Sequence, residues 1–357
     1  IISSNTPPSH PCCIDESYKY IFLPICYSFT FIFSILLNSV VLFRSFRQTK
    51  RWNASLIYMV NLASTDFMYG LSLPFLVASY IMRDRWIFGD FMCRLVRFLF
   101  YFNLYCSIFF LTCISVHRYL GICHPMKVIT LETKKAVKCT CVLVWIVVFA
   151  LTCPIFRFAQ TGHYQNCWDD AIDKEFPDYV PYGIILHLLG FFVPFSIIAW
   201  CYSHVVLTIF RTLNGLSRRK SIKTIITITL LFALCFFPFH VTRTIFLLLK
   251  VTNRVPCHTM TMVSMCYKIT RPLASFNAWL NALLYFLTKD KGGAHCCQIV
   301  NSNSRQHAGL LLPLRMMGKG EDPEEGGMDD GIDNKENKAF HNSPSYMKRA
   351  KVRYIVE

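Results

Sequence analysis

Seven apolar blocks, separated by short polar stretches, run along the chain up to about residue 287. The first extends from about Tyr20 to Phe43 without a charge, and the second, Ala54 to Met82, carries only Asp66. The third starts near Cys93 and is uncharged from Phe98 to Val116, and the fourth covers about Cys139 to Phe156. The fifth covers about Tyr179 to Phe210. The sixth is Thr224 to Leu249 with Arg243 near its end, and the seventh is about Val263 to Leu287 with Lys268 and Arg271 near its start. Helices of soluble proteins read as apolar stripes rather than unbroken blocks, and about 20 apolar residues cross a bilayer as a helix. The pattern predicts an all-α membrane protein, a seven-transmembrane-helix bundle over residues 20–287. Blocks four and seven are the shortest in strictly uncharged length. Residues 1–19 form a polar N-terminal segment. Residues 288–357 form a tail, with the acidic run Glu321-Asp322-Pro323-Glu324-Glu325, whose composition predicts disorder.

Charge orients the bundle. Lys and Arg gather in alternate loops: Arg44, Arg47, Lys50 and Arg51; then Lys127, Lys134, Lys135 and Lys138; then Arg211, Arg218, Arg219, Lys220 and Lys223. The intervening loops are mixed or acidic, as at Asp169, Asp170, Asp173, Glu175 and Asp178. Basic loops favour the cytoplasmic side, which places the N-terminus outside the cell and the tail inside. Topology thus accounts for most of the net charge of +16. With no soluble basic domain, nucleic acid is excluded as a partner, and membrane lipid is the immediate surrounding. No nucleophile, base or metal constellation points to an enzyme. Absence of an internal repeat, with cations at one end of the bundle, argues against a transporter. The chain starts at Ile1, which predicts further residues before it, and Asn5-Thr6-Pro7 fails the glycosylation pattern.

Most of the 17 cysteines lie in the apolar blocks, where a thiol usually just packs. Cys12, Cys13, Cys93, Cys167 and Cys257 fall on the outer side, where disulfides persist. Cys93 and Cys167 are one natural pair, and Cys257 has Cys12 or Cys13 to choose from; spacing leaves the connectivity open.

A charge inside a span is expensive and marks function by default. Arg97 lies one turn from Cys93; Phe236, His240 and Arg243 follow i, i+4, i+7; Lys268 and Arg271 are i, i+3. Their depths match, in the outer thirds of three spans. Turned inward, they line a positive pocket, suited to phosphate or carboxylate oxygens, with Tyr101 placed to stack on a base. The competing readings are cations that reach out to headgroups, a hydrogen-bonded core histidine at His240, and plain packing for Tyr101 and Phe236. Deeper in the membrane, Asp66 is surrounded by Asn38, Asn103, Ser107, Asn277 and Asn281 on neighbouring blocks. A buried carboxylate needs such partners.

Asp66, His117-Arg118-Tyr119, Trp145, Pro194, Tyr202, Cys235-Phe236-Phe237-Pro238, Asn281 and Tyr285, in this order on seven spans, resemble the signature of rhodopsin-like G-protein-coupled receptors. Four strings are similar to the metabotropic nucleotide receptors, most of all the branch that answers extracellular UTP and ATP. They are Trp86-Ile87-Phe88-Gly89-Asp90, His117 to Pro125, His240 to Thr244, and Tyr267 to Ser275. The 2-oxoglutarate receptor shares the string from Trp86 to Cys93, which makes a dicarboxylate the alternative ligand. The resemblance implies a plasma-membrane receptor whose ligand meets Arg97, Tyr101, His240, Arg243, Lys268 and Arg271. It also implies a hydrated pocket at Asp66 that takes a sodium ion, with no other cofactor. Arg118, Tyr119, Tyr202, Phe236, Pro238 and Tyr285 then serve activation. The expected partners are a Gq-type heterotrimeric G protein, leading to phospholipase C and calcium release, and arrestin. Two departures stand out: His117 replaces the usual acid, and Ala282 replaces the proline that would bend the seventh helix. In the tail, Lys291-Gly292-Gly293 interrupts the expected surface helix, and Cys296 and Cys297 are lipidation candidates.

Overall fold

The computed structural model describes residues 17, 19–47, 52–131, 133–161, 167–168, 178–212, 215–252 and 255–288. The expectations for Cys12, Cys13, the acidic loop after Trp168 and the tail beyond Thr288 lie outside these residues.

Among the described residues there are seven helical spans. The first three are α1 (Lys19–Arg47), α2 (Ala54–Ile81) and α3 (Asp90–Cys123). A short α4 (Pro125–Leu131) leads to α5 (Lys134–Thr152), the fourth span, followed by the single turn α6 (Ile155–Phe158). Next come β1 (Gln160–Thr161) and β2 (Cys167–Trp168), an antiparallel pair with Gln160 opposite Trp168 and Thr161 opposite Cys167. The fifth span joins α7 (Tyr179–His187) to α8 (Val193–Thr212), and the sixth joins α9 (Gly215–Leu231) to α10 (Phe237–Val251). The seventh is α11 (Cys257–Ser275) followed by α12 (Asn277–Thr288).

By length and composition alone, five described helices suffice to cross a membrane: Lys19–Arg47, Asp90–Cys123, Lys134–Phe158, Tyr179–Arg211 and Ile222–Val251. The fourth block, short in uncharged length, is therefore a full span. The second and seventh fall short for physical reasons. Serines, tyrosines, Asn61 and Asp66 dilute the apolar content of α2, and the seventh span is interrupted at Phe276. α3 runs through the centre, buried over most of its length from Cys93 to Ser115. Outward-facing residues such as Ile32, Leu36, Leu143, Ile146 and Phe210 are exposed, as a hydrocarbon surrounding requires. Polar N-caps start two helices: Asn53 accepts from the Leu56 amide at 2.8 Å and Thr133 from the Ala136 amide at 3.2 Å.

The irregularities trace to prolines. A π-helical turn, Leu188–Phe192, precedes Pro194, and another, Phe232–Phe236, precedes Pro238. A proline donates no hydrogen bond to the carbonyl four residues back, so the preceding turn widens. In the seventh span the break at Phe276 follows Pro272. Nearby carbonyls find side-chain donors: the Asn277 amide donates to Ala274, the Asn38 amide to Ala278 at 2.7 Å, and the Ser275 hydroxyl to Arg271 at 3.2 Å. Ala282 itself lies inside the regular α12. The missing proline therefore does not leave the seventh span uninterrupted; the irregularity lies six residues earlier.

One end of the bundle is closed covalently. Cys93 and Cys167 form a disulfide with Cα atoms 5.5 Å apart, tying β2 to the start of α3. Cys257 is also disulfide-bonded, and its partner lies outside the described residues. On the same end, Lys19 pairs with Asp84 at 2.8 Å, where α2 finishes in a left-handed turn at Arg83 and Asp84. Asp90 accepts from Arg94 at 2.7 Å and from the Thr161 amide at 3.0 Å, which fastens the hairpin to α3 a second time. Replacement Cys93→Ser is expected to reduce delivery to the cell surface to a small fraction of the parent, since a lost native disulfide costs about 2–5 kcal/mol. Surface labelling of a tagged receptor checks this; parental delivery would show that the hairpin holds without the bond.

Candidate ligand-binding site

At the disulfide end, the sequence brings cations from α3, α10 and α11 into the bundle. Arg97, Arg243 and Arg271 are 6%, 1% and 8% exposed, so none of them reaches out to a headgroup. Buried guanidinium needs hydrogen-bond acceptors, and phenols supply them. The two terminal nitrogens of Arg243 donate to the Tyr267 hydroxyl on α11 and the Tyr179 hydroxyl on α7. Its guanidinium also lies 5.0 Å from the Tyr101 ring centroid on α3. Arg243 thus meets three other spans at one point.

Arg271 shares one of these partners, donating to the Tyr267 hydroxyl at 2.9 Å while lying 5.6 Å from the Phe100 ring. Phe246 stacks on Tyr267 at 5.3 Å and fixes the shared phenol. Arg97 donates to the carbonyl of Cys167 at 2.9 Å, so the disulfide that anchors β2 also places this cation. Tyr27 and Tyr80 stack nearby on α1 and α2, with centroids 5.8 Å apart. Lys268 is half-buried on α11, beside Tyr267.

His240 sits one turn deeper than Arg243. Its Nδ1 lies 2.7 Å from the Phe236 carbonyl and its Nε2 lies 3.2 Å from the Tyr105 hydroxyl. This is the geometry of the hydrogen-bonded core histidine. Tyr101 is fully buried as well, and its ring serves Arg243. The residues that sequence reasoning passed over are Tyr179, Tyr267, Phe100, Tyr105 and His187. Two carried a signal: Tyr267 is one turn from Arg271, and Tyr105 one turn from Tyr101. Tyr179 and His187 lie on the apolar fifth span, where no cation singles them out.

Below this, Asp66 is fully buried and accepts from Asn103 at 2.6 Å, Asn281 at 3.1 Å and Ser107 at 3.4 Å. Ser107 donates to Asn277 at 3.0 Å, and Asn281 reaches it at 3.3 Å. Five of the six expected polar residues therefore form one network. Asn38 instead spans Ser34 and the Ala278 carbonyl. At the opposite end, Tyr202 bonds Ser115 at 2.8 Å and Tyr119 bonds His124 at 3.1 Å. Phe236 is fully buried beside Phe232, and Tyr285 is buried on α12. Arg118 is half-buried near the C-terminal end of α3.

A seven-span bundle with this order of features is a membrane receptor, and the chain belongs to the rhodopsin family of seven-transmembrane receptors, whose family model matches residues 37–285. Within that family it is similar to purinoceptors of the Y type. It is 40% identical to purinoceptor 3 of Meleagris gallopavo over 298 residues, 80% of this chain and 90% of that protein. It is 41% identical to purinoceptor 4 of Rattus norvegicus over 287 residues, 78% and 79% of the two chains. It is 41% identical to purinoceptor 2 of Homo sapiens over 285 residues, 77% and 75% of the two chains. It is a multi-pass protein of the plasma membrane, and a receptor rather than an enzyme.

Tyr267→Phe removes the oxygen that both Arg243 and Arg271 use. Two buried donors are then left short, each at about 1–3 kcal/mol. A clear fall in the thermal unfolding midpoint of the purified, ligand-free receptor is expected. An unchanged midpoint would show that the guanidinium groups are held by other means.

Proposed function

We propose that the chain is a receptor for extracellular nucleotides of the UTP and ATP type, with its N-terminus outside the cell, coupling through a Gq-type G protein to calcium release. The observation that carries this reading is the burial of Arg97, Arg243 and Arg271, from three spans, at the disulfide end, with Arg243 and Arg271 sharing the Tyr267 phenol. Three guanidinium groups, with Lys268 alongside, suit a polyphosphate better than the two carboxylates of 2-oxoglutarate. The relatives' purinoceptor names point the same way.

The phenols are neutral acceptors, so an entering phosphate offers the arginines a stronger, charge-assisted bond. Arg243 then turns from Tyr179 and Tyr267 towards the anion, and α10 and α11 draw together over it. The π-helical turn and Pro238 below Arg243 allow the sixth span to pivot. Inward movement at the disulfide end becomes outward movement at the other, exposing Arg118 to the G protein, with arrestin a later partner for the same face. A ligand shifts such an equilibrium only through different affinities for its two states, and relocation of the Arg243 fork supplies that difference. Replacing Arg243 or Arg271 by Ala is expected to weaken UTP and ATP potency by about 30- to 1,000-fold, or roughly 2–4 kcal/mol. The readout is calcium release at matched surface expression. Parental potency in both variants would refute the phosphate site.

The Asp66 network fits a sodium ion. Its oxygens are the two of the carboxylate, Ser107 Oγ and Asn277 Oδ1, and the buried Asn281 Oδ1 has no hydrogen-bond partner among the described residues. Oxygen sets of this kind suit hard cations. When bound, the ion would balance the buried charge and favour the resting arrangement. Replacing sodium by N-methylglucamine should then raise agonist affinity in the parent and leave Asp66→Asn unaffected. Equal sodium dependence in both would remove Asp66 from the role.

A further inference from the structure

Beside and below Arg243 lies a second polar layer, made by Tyr105 on α3, His187 at the end of α7, His240 one turn deeper on α10, and Thr244 next to Arg243 on the same helix. The two imidazole rings meet edge to face at 5.0 Å, and both residues are at most 1% exposed. Phe191 stacks flat on His240 at 4.2 Å. Tyr105 lies so close to Gly190, within the π-helical turn, that a Cβ there would come 2.6 Å from its ring. Tyr101, Tyr179 and Arg243 sit above Tyr105, His187 and His240 on the same three spans, so Arg243 and its phenols form the roof of this layer.

Hydrogen-bond accounting separates the two histidines. The Phe236 carbonyl can only accept, so Nδ1 of His240 carries the proton. Nε2 is then an acceptor, and the Tyr105 hydroxyl donates to it. Both ring nitrogens of His240 are committed. His187 differs: its Nδ1 lies 2.9 Å from the Thr244 hydroxyl, while its Nε2 is buried with no hydrogen-bond partner among the described residues. A buried polar atom in that state is costly and calls for an explanation.

We propose that His187 is a specificity-determining residue, whose Nε2 reads the uncharged heterocyclic end of a ligand held at its anionic end by Arg243 and Arg271. The proposal rests on the nucleotide reading above and adds the orientation of the ligand to it. As the Arg243 fork turns to the phosphates, the roof parts and the base reaches the histidine layer. A hydroxyl partner at Nδ1 leaves the tautomer of His187 free. With Thr244 donating, Nε2 bears the proton and donates to a ring carbonyl, such as that of uracil. With Nδ1 donating to Thr244, Nε2 accepts from an exocyclic amine, such as that of adenine. One side chain thereby serves pyrimidine and purine edges at the same depth.

The test compares UTP and ATP concentration–response curves for the parent, His187→Phe, His187→Gln and Thr244→Val, at matched surface expression. Phenylalanine keeps the ring volume and loses the nitrogen, while glutamine keeps a polar group and loses the ring. The expected result is a loss of about 10-fold or more in nucleotide potency for His187→Phe and a loss within a few-fold for His187→Gln. The opposite order, with the ring tolerated and the amide harmful, would show that His187 only packs, and would overturn the proposal. Should both histidine variants fail to reach the surface, Thr244→Val decides: a change of about 3-fold or more in the UTP-to-ATP potency ratio supports it, and an unchanged ratio overturns it. A parent that answers neither nucleotide would remove the nucleotide reading itself, and the proposal with it. A responsive parent with an unaltered His187→Phe would remove the proposal alone.

Discussion

Guanidinium charge buried at membrane depth must be met by oxygen, and this constraint organises the disulfide end of the bundle. Arg243 alone binds α10 to α3, α7 and α11 through Tyr101, Tyr179 and Tyr267. Arg271 joins the same phenol, and Arg97 ties the β hairpin to α3 through the Cys167 carbonyl. These contacts hold the spans in place without a ligand, and each of them is made with a neutral group. In the proposed reading, an anion competes with the phenol oxygens for the same donors.

In the proposed mechanism the rest of the bundle converts such a local exchange into movement. α3 is buried along most of its length and serves as the fixed axis. Around it, the fifth, sixth and seventh spans each carry a weak turn set by Pro194, Pro238 or Pro272. All three weak turns lie between the arginine layer and the opposite end. The Asp66 network lies at the level of the seventh-span break and links α2, α3 and α12 through Asn103, Ser107, Asn277 and Asn281. A shift of α11 and α12 therefore alters the surroundings of Asp66, so the two polar sites bear on the same hinge.

Much of this was legible in the sequence because charge is rare in apolar blocks. Arg97, Arg243, Arg271 and Asp66 declared themselves, and the Cys93–Cys167 pair is among the pairings the cysteines allowed. Tyrosine did not stand out, since an amphipathic ring in a span has many bland uses; Tyr179 and Tyr267 gain meaning only once their hydroxyls meet Arg243. Similarity of strings drew attention to His240, whose nitrogens are both committed, and away from His187, whose Nε2 is not. In the seventh span Ala282 stands where a proline would bend the helix. Pro272, together with the carbonyl-capping amides of Asn38 and Asn277, keeps an irregularity there by other means.

The central claim is that an anion bound among these arginines is coupled to the transducer at the far end of the bundle. Coupling between two binding sites is reciprocal, so a G protein bound at one end must tighten the ligand at the other. Its most direct test is the affinity of labelled UTP for receptor-bearing membranes with and without a non-hydrolysable GTP analogue, which releases the G protein. The account expects affinity to fall by several-fold or more when the analogue is added. Unchanged affinity, together with no UTP-driven guanine-nucleotide exchange, would contradict it.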